Sequence, residues 1–416
     1  MAEVQTIENV ACGFCGLGCD DLAVEVEGRA IRARAPVCPE AARLLRRIDV
    51  PDPVARVAGE EAGPTDAARV AHQILAAARS PLIGGFGADM AGAGALVDLA
   101  IRFGGVLDHY ASDGLFRNYA AAQRTGWLST TLAEVRNRCD VLLVVGDDPA
   151  ATWGRLFERL FPATPLFADQ GRTVVFLGGA PGEKASAQLA GASIVHHASA
   201  DPVAALEALG SLVAGRRPPG ESFGGIGAEA LAALAEKLRN AHYAVVTWNA
   251  AELDDGDLVA ERATALVDTL NLSTRGGVFP LGGRDNIIGA NQLLLWRLGY
   301  PFRTAVRGQA SAHDGALFAT QAALADADVL VWVSAFRPEP PPDLAAMNFT
   351  GKLIALAHPE TVFDTEPDVL IPVGTPGVDH AGTVFRMDSI VSLPLGALRV
   401  ATLPSVAEAV RRIAEG

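Results

Sequence analysis

Short apolar runs recur along the chain at Pro81–Gly87, Asp140–Val145, Thr173–Leu177, Ala244–Trp248, Asp328–Val333, Lys352–Ala357 and Val369–Val373, and stretches with helical spacing separate most of them. Runs too uniformly apolar to alternate are strands buried on both faces, and such strands, joined through helices, build parallel sheets. Helical spacing over Thr65–Ser80, Met90–Phe103, Thr131–Arg138, Gly227–Asn240 and Asp257–Leu270 supplies the crossovers. The pattern confines the chain to an α/β class with mostly parallel sheets. At 416 residues it exceeds one ordinary core, since domains run to ~100–200 residues, so two or three packed units are expected.

The start of the chain breaks this pattern. Cys12, Cys15 and Cys19 form C-x2-C-x3-C, and Cys38 follows with eighteen residues between, so four of the five cysteines fall in the first tenth of the sequence. Four thiolates at such spacing are the arithmetic of an iron–sulfur or zinc site, and packed thiols without a metal are the other reading. Gly13, Gly16 and Gly18 suit a loop tight enough to gather the sulfurs. Period-two alternation over residues 20–35 reads as a hairpin beneath that loop.

Composition removes several functions. A formal charge of −14 with no cluster of Lys and Arg excludes a duplex nucleic-acid footprint. No apolar run approaches the ~18–20 residues of a membrane span. Met1-Ala-Glu-Val-Gln lacks the basic start of a signal peptide, so a cytoplasmic protein is expected. A mean hydropathy of +0.24 fits either a large α/β core or apolar surface covered by partner subunits. Three loops are candidate ligand contacts: the turn at Gly84, Gly85 and Gly87, the loop Gly146-Asp147-Asp148-Pro149 at a strand's carboxyl end, and the glycine-rich stretch Arg275–Gln292. The last, taken alone, reads rather as an irregular surface loop. Adjacent His196 and His197 point to opposite faces of a strand and are read as structural. No Ser-His-Asp, Cys-His or multi-His grouping appears.

Segments in collinear order carry a resemblance over nearly the whole chain: Cys19-Asp-Asp-Leu, Thr131-Leu-Ala-Glu-Val-Arg-Asn-Arg-Cys-Asp-Val, Gly289-Ala-Asn-Gln-Leu-Leu-Leu-Trp with Gly299-Tyr-Pro, and Gly382-Thr-Val-Phe-Arg-Met-Asp. Together they resemble the B subunit of formylmethanofuran dehydrogenase, within the molybdopterin oxidoreductases. The resemblance implies a small N-terminal cysteine-rich β module followed by two Rossmann-like doubly wound α/β lobes, as in the first three domains of formate dehydrogenase and DMSO reductase, without the C-terminal barrel. The expected divisions are 1–58 for the cysteine module, 59–163 completed by 327–416 for the first lobe, and 164–326 for the second. In that family a four-iron cluster feeds a tungsten or molybdenum pterin held between the lobes.

Departures from the family decide the function. The position of the metal's cysteine or selenocysteine ligand aligns with Gly114, and no cysteine lies between Cys38 and Cys139. Asp147 and Asp148 stand where an anionic pterin diphosphate has to approach, and repel it. The strand end that carries Asp-Pro-Arg in the family here reads Gly178-Gly-Ala-Pro. Cys139, in a helix-to-strand turn, is read as packing. Such a chain resembles the degenerate, non-catalytic B subunit of the formyltransferase/hydrolase complex of methylotrophic bacteria, which works in tetrahydromethanopterin- and methanofuran-dependent formaldehyde oxidation to formate. The implied partners are subunits A, C and D, with a methanofuran-type carrier held by the complex, and no nucleic acid or membrane. No catalytic or pterin-binding residue is expected. Cys12, Cys15, Cys19 and Cys38 remain candidate ligands of a [4Fe–4S] cluster. Two alternatives stand beside this reading: an active tungsten or molybdenum subunit using a ligand such as Asp113, and a pterin-free iron–sulfur electron carrier.

Overall fold

The computed structural model describes residues 4–162, 165–168 and 171–416. Met1-Ala-Glu, at the head of the N-terminal peptide, and the expected lobe boundary between 163 and 164 lie outside them. The chain divides into two compact units, Met1–Ser112 with Gly283–Gly416, and Asp113–Gly282.

The first unit is built on a nine-stranded sheet. In spatial order the strands are Ala310–His313, Thr304–Arg307, Gly105–Leu107, Pro81–Gly87, Val329–Ser334, Lys352–Ala357, Val369–Pro372, Ala55–Val57 and Glu60–Ala62. The five central strands, from Gly105–Leu107 to Val369–Pro372, are parallel, and the flanking pairs are antiparallel. Pro81–Gly87 and Val329–Ser334 are buried along their whole lengths, as their unbroken apolar runs require. Gly85 sits at φ +72°, where a Cβ would lie 2.5 Å from the Val333 carbonyl oxygen, so this strand pair closes only around glycine. The turn at Gly84–Gly87 thus serves strand packing, and Asp89 caps the Met90–Phe103 helix by accepting from Gly92 N–H. The Asp89 carboxylate thus occupies that helix end. Val406–Glu415 starts at a capping box made by Ser405 and Glu408 and buries Val406, Ala407, Ala409, Val410 and Ile413.

The N-terminal strands Gln5–Val10, Leu22–Glu27 and Ala30–Arg34 form an antiparallel sheet, whose last two strands are the expected hairpin. Residues 1–58 group with the first unit rather than standing apart. A chain of ion pairs ties them to it. Arg29 pairs with Asp52, whose Oδ1 lies 3.1 Å from Arg399 Nη2, and Arg399 Nε lies 2.6 Å from Asp379 Oδ1.

The second unit holds a five-stranded sheet in the order Ser193–His197, Thr173–Gly178, Val141–Gly146, Ala244–Trp248 and Gly276–Pro280, parallel throughout. Val141–Gly146 is its centre. Its pairing with Thr173–Gly178 and Ala244–Trp248 removes residues 113–162 from the first lobe, to which 59–163 had been assigned. On the other side, 283–326 belong to the first unit, because Thr304–Arg307 extends its sheet beside Gly105–Leu107. The stretch Arg275–Gln292 is likewise no irregular surface loop. It holds the strand Gly276–Pro280, and Asp285 and Asn286 are each 1% exposed. No helix among the described residues is long and apolar enough to cross a membrane.

Candidate functional site

The cysteine loop joins Gln5–Val10 to Leu22–Glu27 and closes on itself through Cys12 N–H, which donates to the Cys19 carbonyl at 2.7 Å. The first unit holds it from outside. Met387 N–H donates to Gly16 O at 2.7 Å, and Phe14 O accepts from Asp285 N–H and from Arg337 Nη2, both at 3.0 Å. Gly16, at φ +77°, lies so close that a Cβ would stand 2.7 Å from the Gly283 backbone. Cys38 Sγ accepts from Ala41 N–H at 3.4 Å and caps Pro39–Leu45.

The four thiols are near enough to act on one another. Burial, with the neighbouring cysteines adding to it, pushes Cys12 well above the usual thiol range and Cys15 up to about 12. None of the five cysteines is in a disulfide. Yet among the described residues no group of three or more His, Cys, Asp or Glu side chains is placed to hold a metal ion. Cys139 is buried at the end of Leu132–Arg138, its thiol raised by burial, which is packing chemistry.

In open α/β sheets ligands enter the crevice at the carboxyl ends of the two strands where the chain order reverses. In the first unit these are Pro81–Gly87 and Val329–Ser334, and the chain's own side chains sit there. Asp285 lies against Gly87, with its Cβ 3.7 Å from where a Gly87 Cβ would stand. Arg337, 4% exposed, clasps the Asp285 carboxylate through Nε and Nη2, each at 2.8 Å, and also reaches Glu40. Tyr110 OH donates to Asp285 Oδ2 at 2.8 Å, and His109 stacks on Tyr110 with ring centroids 4.9 Å apart. Burial opposes the charge on Arg337, but Asp285 outweighs it and holds the guanidinium protonated. Asp285 and Asn286 adopt left-handed φ of +49° and +62°. Asn286 fixes that turn by donating to Ala88 O and accepting from Phe385 N–H, both at 2.9 Å. Sequence reasoning missed this pair. Its one signal was the Asp-Asn dipeptide, the non-glycine types that best tolerate left-handed backbone.

The same unit buries two neutral imidazoles. Burial lowers His109 to about 4, and burial followed by the Arg47 charge lowers His358 to about 3. Their Nδ1 atoms accept from Ala111 N–H and Glu360 N–H. Burial opposes ionisation of Asp52, but hydrogen bonds from Arg29 and Thr402 and the Arg399 charge pull it down to about 2. All three folded values are depressed, so each contribution is full above the unfolded value and is lost as pH falls. Stability is therefore expected to decline from about pH 6.5 through the two histidines, and to go on falling between about pH 4 and 2 through Asp52. Thermal melts over that pH range check this; His358→Gln should flatten the upper limb and Asp52→Asn the lower.

In the second unit the strand order reverses between Val141–Gly146 and Ala244–Trp248. A cavity of about 340 Å³ opens beside it, lined by Gly146, Gly178 and Gly179 and by the acidic residues Asp147, Asp201, Glu252, Asp254 and Asp255, with no basic residue among the described ones that line it. Asp148 accepts from Ala150 N–H and from Gly182 N–H, both at 2.9 Å. Its carboxylate thereby takes the backbone donor at the start of Glu183–Gln188. The Ser112–Thr125 helix is tied to the neighbouring loop by Arg117, which donates to Ala250 O at 2.8 Å and to Leu253 O, and by Asn118 Oδ1, which accepts from Trp248 Nε1 at 2.9 Å. Gly114 presses on that loop. A Cβ there would stand 2.9 Å from Ala251 Cβ and 3.1 Å from Ala251 N, so glycine at this position is a close packing contact. His196, exposed, has Nε2 3.1 Å from Gly178 O, while His197 is half-buried.

No protein-family model matches the chain. It is 31% identical over 338 residues to the B subunit of the formyltransferase/hydrolase complex Fhc of Methylorubrum extorquens, a match that covers 79% of this chain and 87% of that protein. It is 28% identical over 416 aligned residues to the B subunit of the tungsten-containing formylmethanofuran dehydrogenase 2 of Methanocaldococcus jannaschii, covering 93% of this chain and 92% of the relative. The fold is similar to a chain in the X-ray crystal structure of the formyltransferase/hydrolase complex from Methylorubrum extorquens in complex with methylofuran. The TM-score is 0.74 at 26% identity, covering 87% of this chain and 98% of that one.

Proposed function

The chain belongs to the family formed by the B subunits of formylmethanofuran dehydrogenase and of the formyltransferase/hydrolase complex, and on that premise we propose that it is a non-catalytic member of such a complex. Its partners are then subunits A, C and D, with a methanofuran-type carrier held by the assembly. Its role lies in tetrahydromethanopterin- and methanofuran-dependent oxidation of formaldehyde to formate. We read its two units as the doubly wound, Rossmann-like lobes of the molybdopterin oxidoreductases, and its N-terminal strands as the remnant of a cluster module.

The acid-lined crevice of the second unit carries this reading. An anionic pterin diphosphate there faces Asp147, Asp201, Glu252, Asp254 and Asp255 with no cation opposite, and carboxylates at close range in a confined site repel it. Gly114 offers no ligand atom, and the first unit's crevice is filled by Asp285 and Arg337. Neither crevice fits the tungsten or molybdenum pterin.

The test is a pair of measurements on the purified chain and on the purified complex. The chain alone is expected to show neither formate-dependent reduction of a viologen dye nor hydrolysis of a formamide, and the complex to contain neither tungsten nor molybdenum. Dye reduction by the chain alone, or stoichiometric tungsten, overturns the reading. The gathered thiols keep the iron–sulfur electron carrier as a second reading, and iron with acid-labile sulfide but no pterin metal would select it.

A further inference from the structure

A groove of about 520 Å³ runs between the Met90–Phe103 helix and the C-terminal Val406–Glu415 helix. Its floor and walls are small or apolar, including Ala91, Gly94, Ala95, Ala407, Val410 and Ala414. Gly94 leaves it open, since an added Cβ would meet only Leu293 Cδ1, at 3.8 Å. That leucine belongs to Ile287–Leu298, which borders the groove and displays Leu295 at 40% and Trp296 at 66% exposure.

The rim is basic in a chain of charge −14. Of the charged residues lining the groove, Asp98 is paired with Arg297 at 2.7 Å. Arg102 and Arg411 have no carboxylate within ion-pair distance among the described residues, and Arg102 lies over its neighbour's ring, Phe103, at 5.4 Å. Two guanidiniums outside any close ion pair, Arg411 with the Glu408 carboxylate near enough to feel its charge, beside a small-residue floor are complementary to an amphipathic helix with small apolar residues on its contact face and carboxylates at its flank. Small side chains let the two backbones approach closely, and arginines at the rim orient the incoming helix more than they tighten it.

We propose that this groove is the seat of an acidic amphipathic helix from a partner subunit of the complex, an assignment that rests on the function proposed above.

The test uses the co-expressed complex and the purified full-length chain. Gly94→Gln fills the groove at a helix position with room for a side chain, and Arg102→Glu with Arg411→Glu reverses the rim. Each variant is expected to weaken capture of the partner subunits about tenfold or more, with the melting temperature of the isolated chain unchanged. Added salt should weaken capture by the unaltered chain, and less so by the charge-reversed one. Unchanged capture by both variants overturns the groove assignment while leaving the proposed function intact. Failure of the unaltered chain to capture any partner subunit overturns both. Concentration-dependent self-association that Gly94→Gln abolishes assigns the groove to a second copy of this chain and overturns the proposal.

Discussion

Asp285→Ala is expected to cost about 3–5 kcal/mol of stability, because it takes the bidentate carboxylate from a buried guanidinium and leaves only the more exposed Glu40 opposite its charge. Arg337 is 4% exposed and directs Nε and Nη2 at this one carboxylate. Its remaining partners, Glu40 and the Phe14 carbonyl, do not neutralise it inside the crevice as Asp285 does. Tyr110 loses its acceptor in the same step. At ~2–4 °C per kcal/mol for units of this size, the melting temperature should fall by roughly 6–20 °C. The double variant Asp285→Leu with Arg337→Met should recover most of that loss, since removing both charges also removes their desolvation cost. A single variant that melts within a degree or two of the unaltered chain would show that the pair does not hold the crevice closed.

The same substitution reports on the cysteine loop. Asp285 N–H and Arg337 both hold the Phe14 carbonyl, so a shift of the pair loosens the segment between Cys12 and Cys15. The loop's closure depends on backbone and guanidinium contacts in this structure. That dependence is why the cysteine spacing alone, which reads equally as cluster, zinc site or packing, did not determine what the loop does.

What the sequence disclosed best was whatever periodicity controls. The buried runs at 81–87, 141–146, 173–178, 244–248, 329–334 and 352–357 are strands because uniformly apolar, β-branched segments have no other way to bury both faces. Sheet membership was harder. Val141–Gly146 and Pro81–Gly87 look alike as sequence, and only pairing, decided by long-range packing, sends them to different sheets. The expected boundary at 163/164 failed for that reason, and the one at 326/327 because the short strand Thr304–Arg307, of mixed polarity and paired on both sides, carries no apolar run to announce it.

At the candidate sites, single residues told more than patterns. Asp147 and Asp148 were visible as misplaced carboxylates, and the structure adds Asp201, Glu252, Asp254 and Asp255 from separate segments, whose convergence no local reading could anticipate. Gly114 was visible as a missing ligand, but its contact with Ala251 was not. Asp285 was hidden by its glycine-rich surroundings, which in isolation describe a solvated loop.

Omitting this chain from the complex should sharply lower transferase and hydrolase activity in the cell, although on the function proposed above it contributes no catalytic group. Large apolar side chains stand exposed on the isolated chain, among them Trp296 at 66% and Val400 at 87%. Burying apolar area stabilises by roughly 25 cal/mol per Å² before association costs are subtracted. Covered by other subunits, such side chains favour assembly; uncovered, they favour aggregation. Expressed alone, the chain should therefore be poorly soluble or melt well below its temperature in the complex, and co-expression with subunits A, C and D should restore both. An assembly lacking it should form in lower yield and turn over more slowly, and adding the purified chain back should raise activity without altering the pH profile of either reaction. Full activity of an A–C–D assembly, together with a soluble and equally heat-stable isolated chain, would remove the support for a scaffold role.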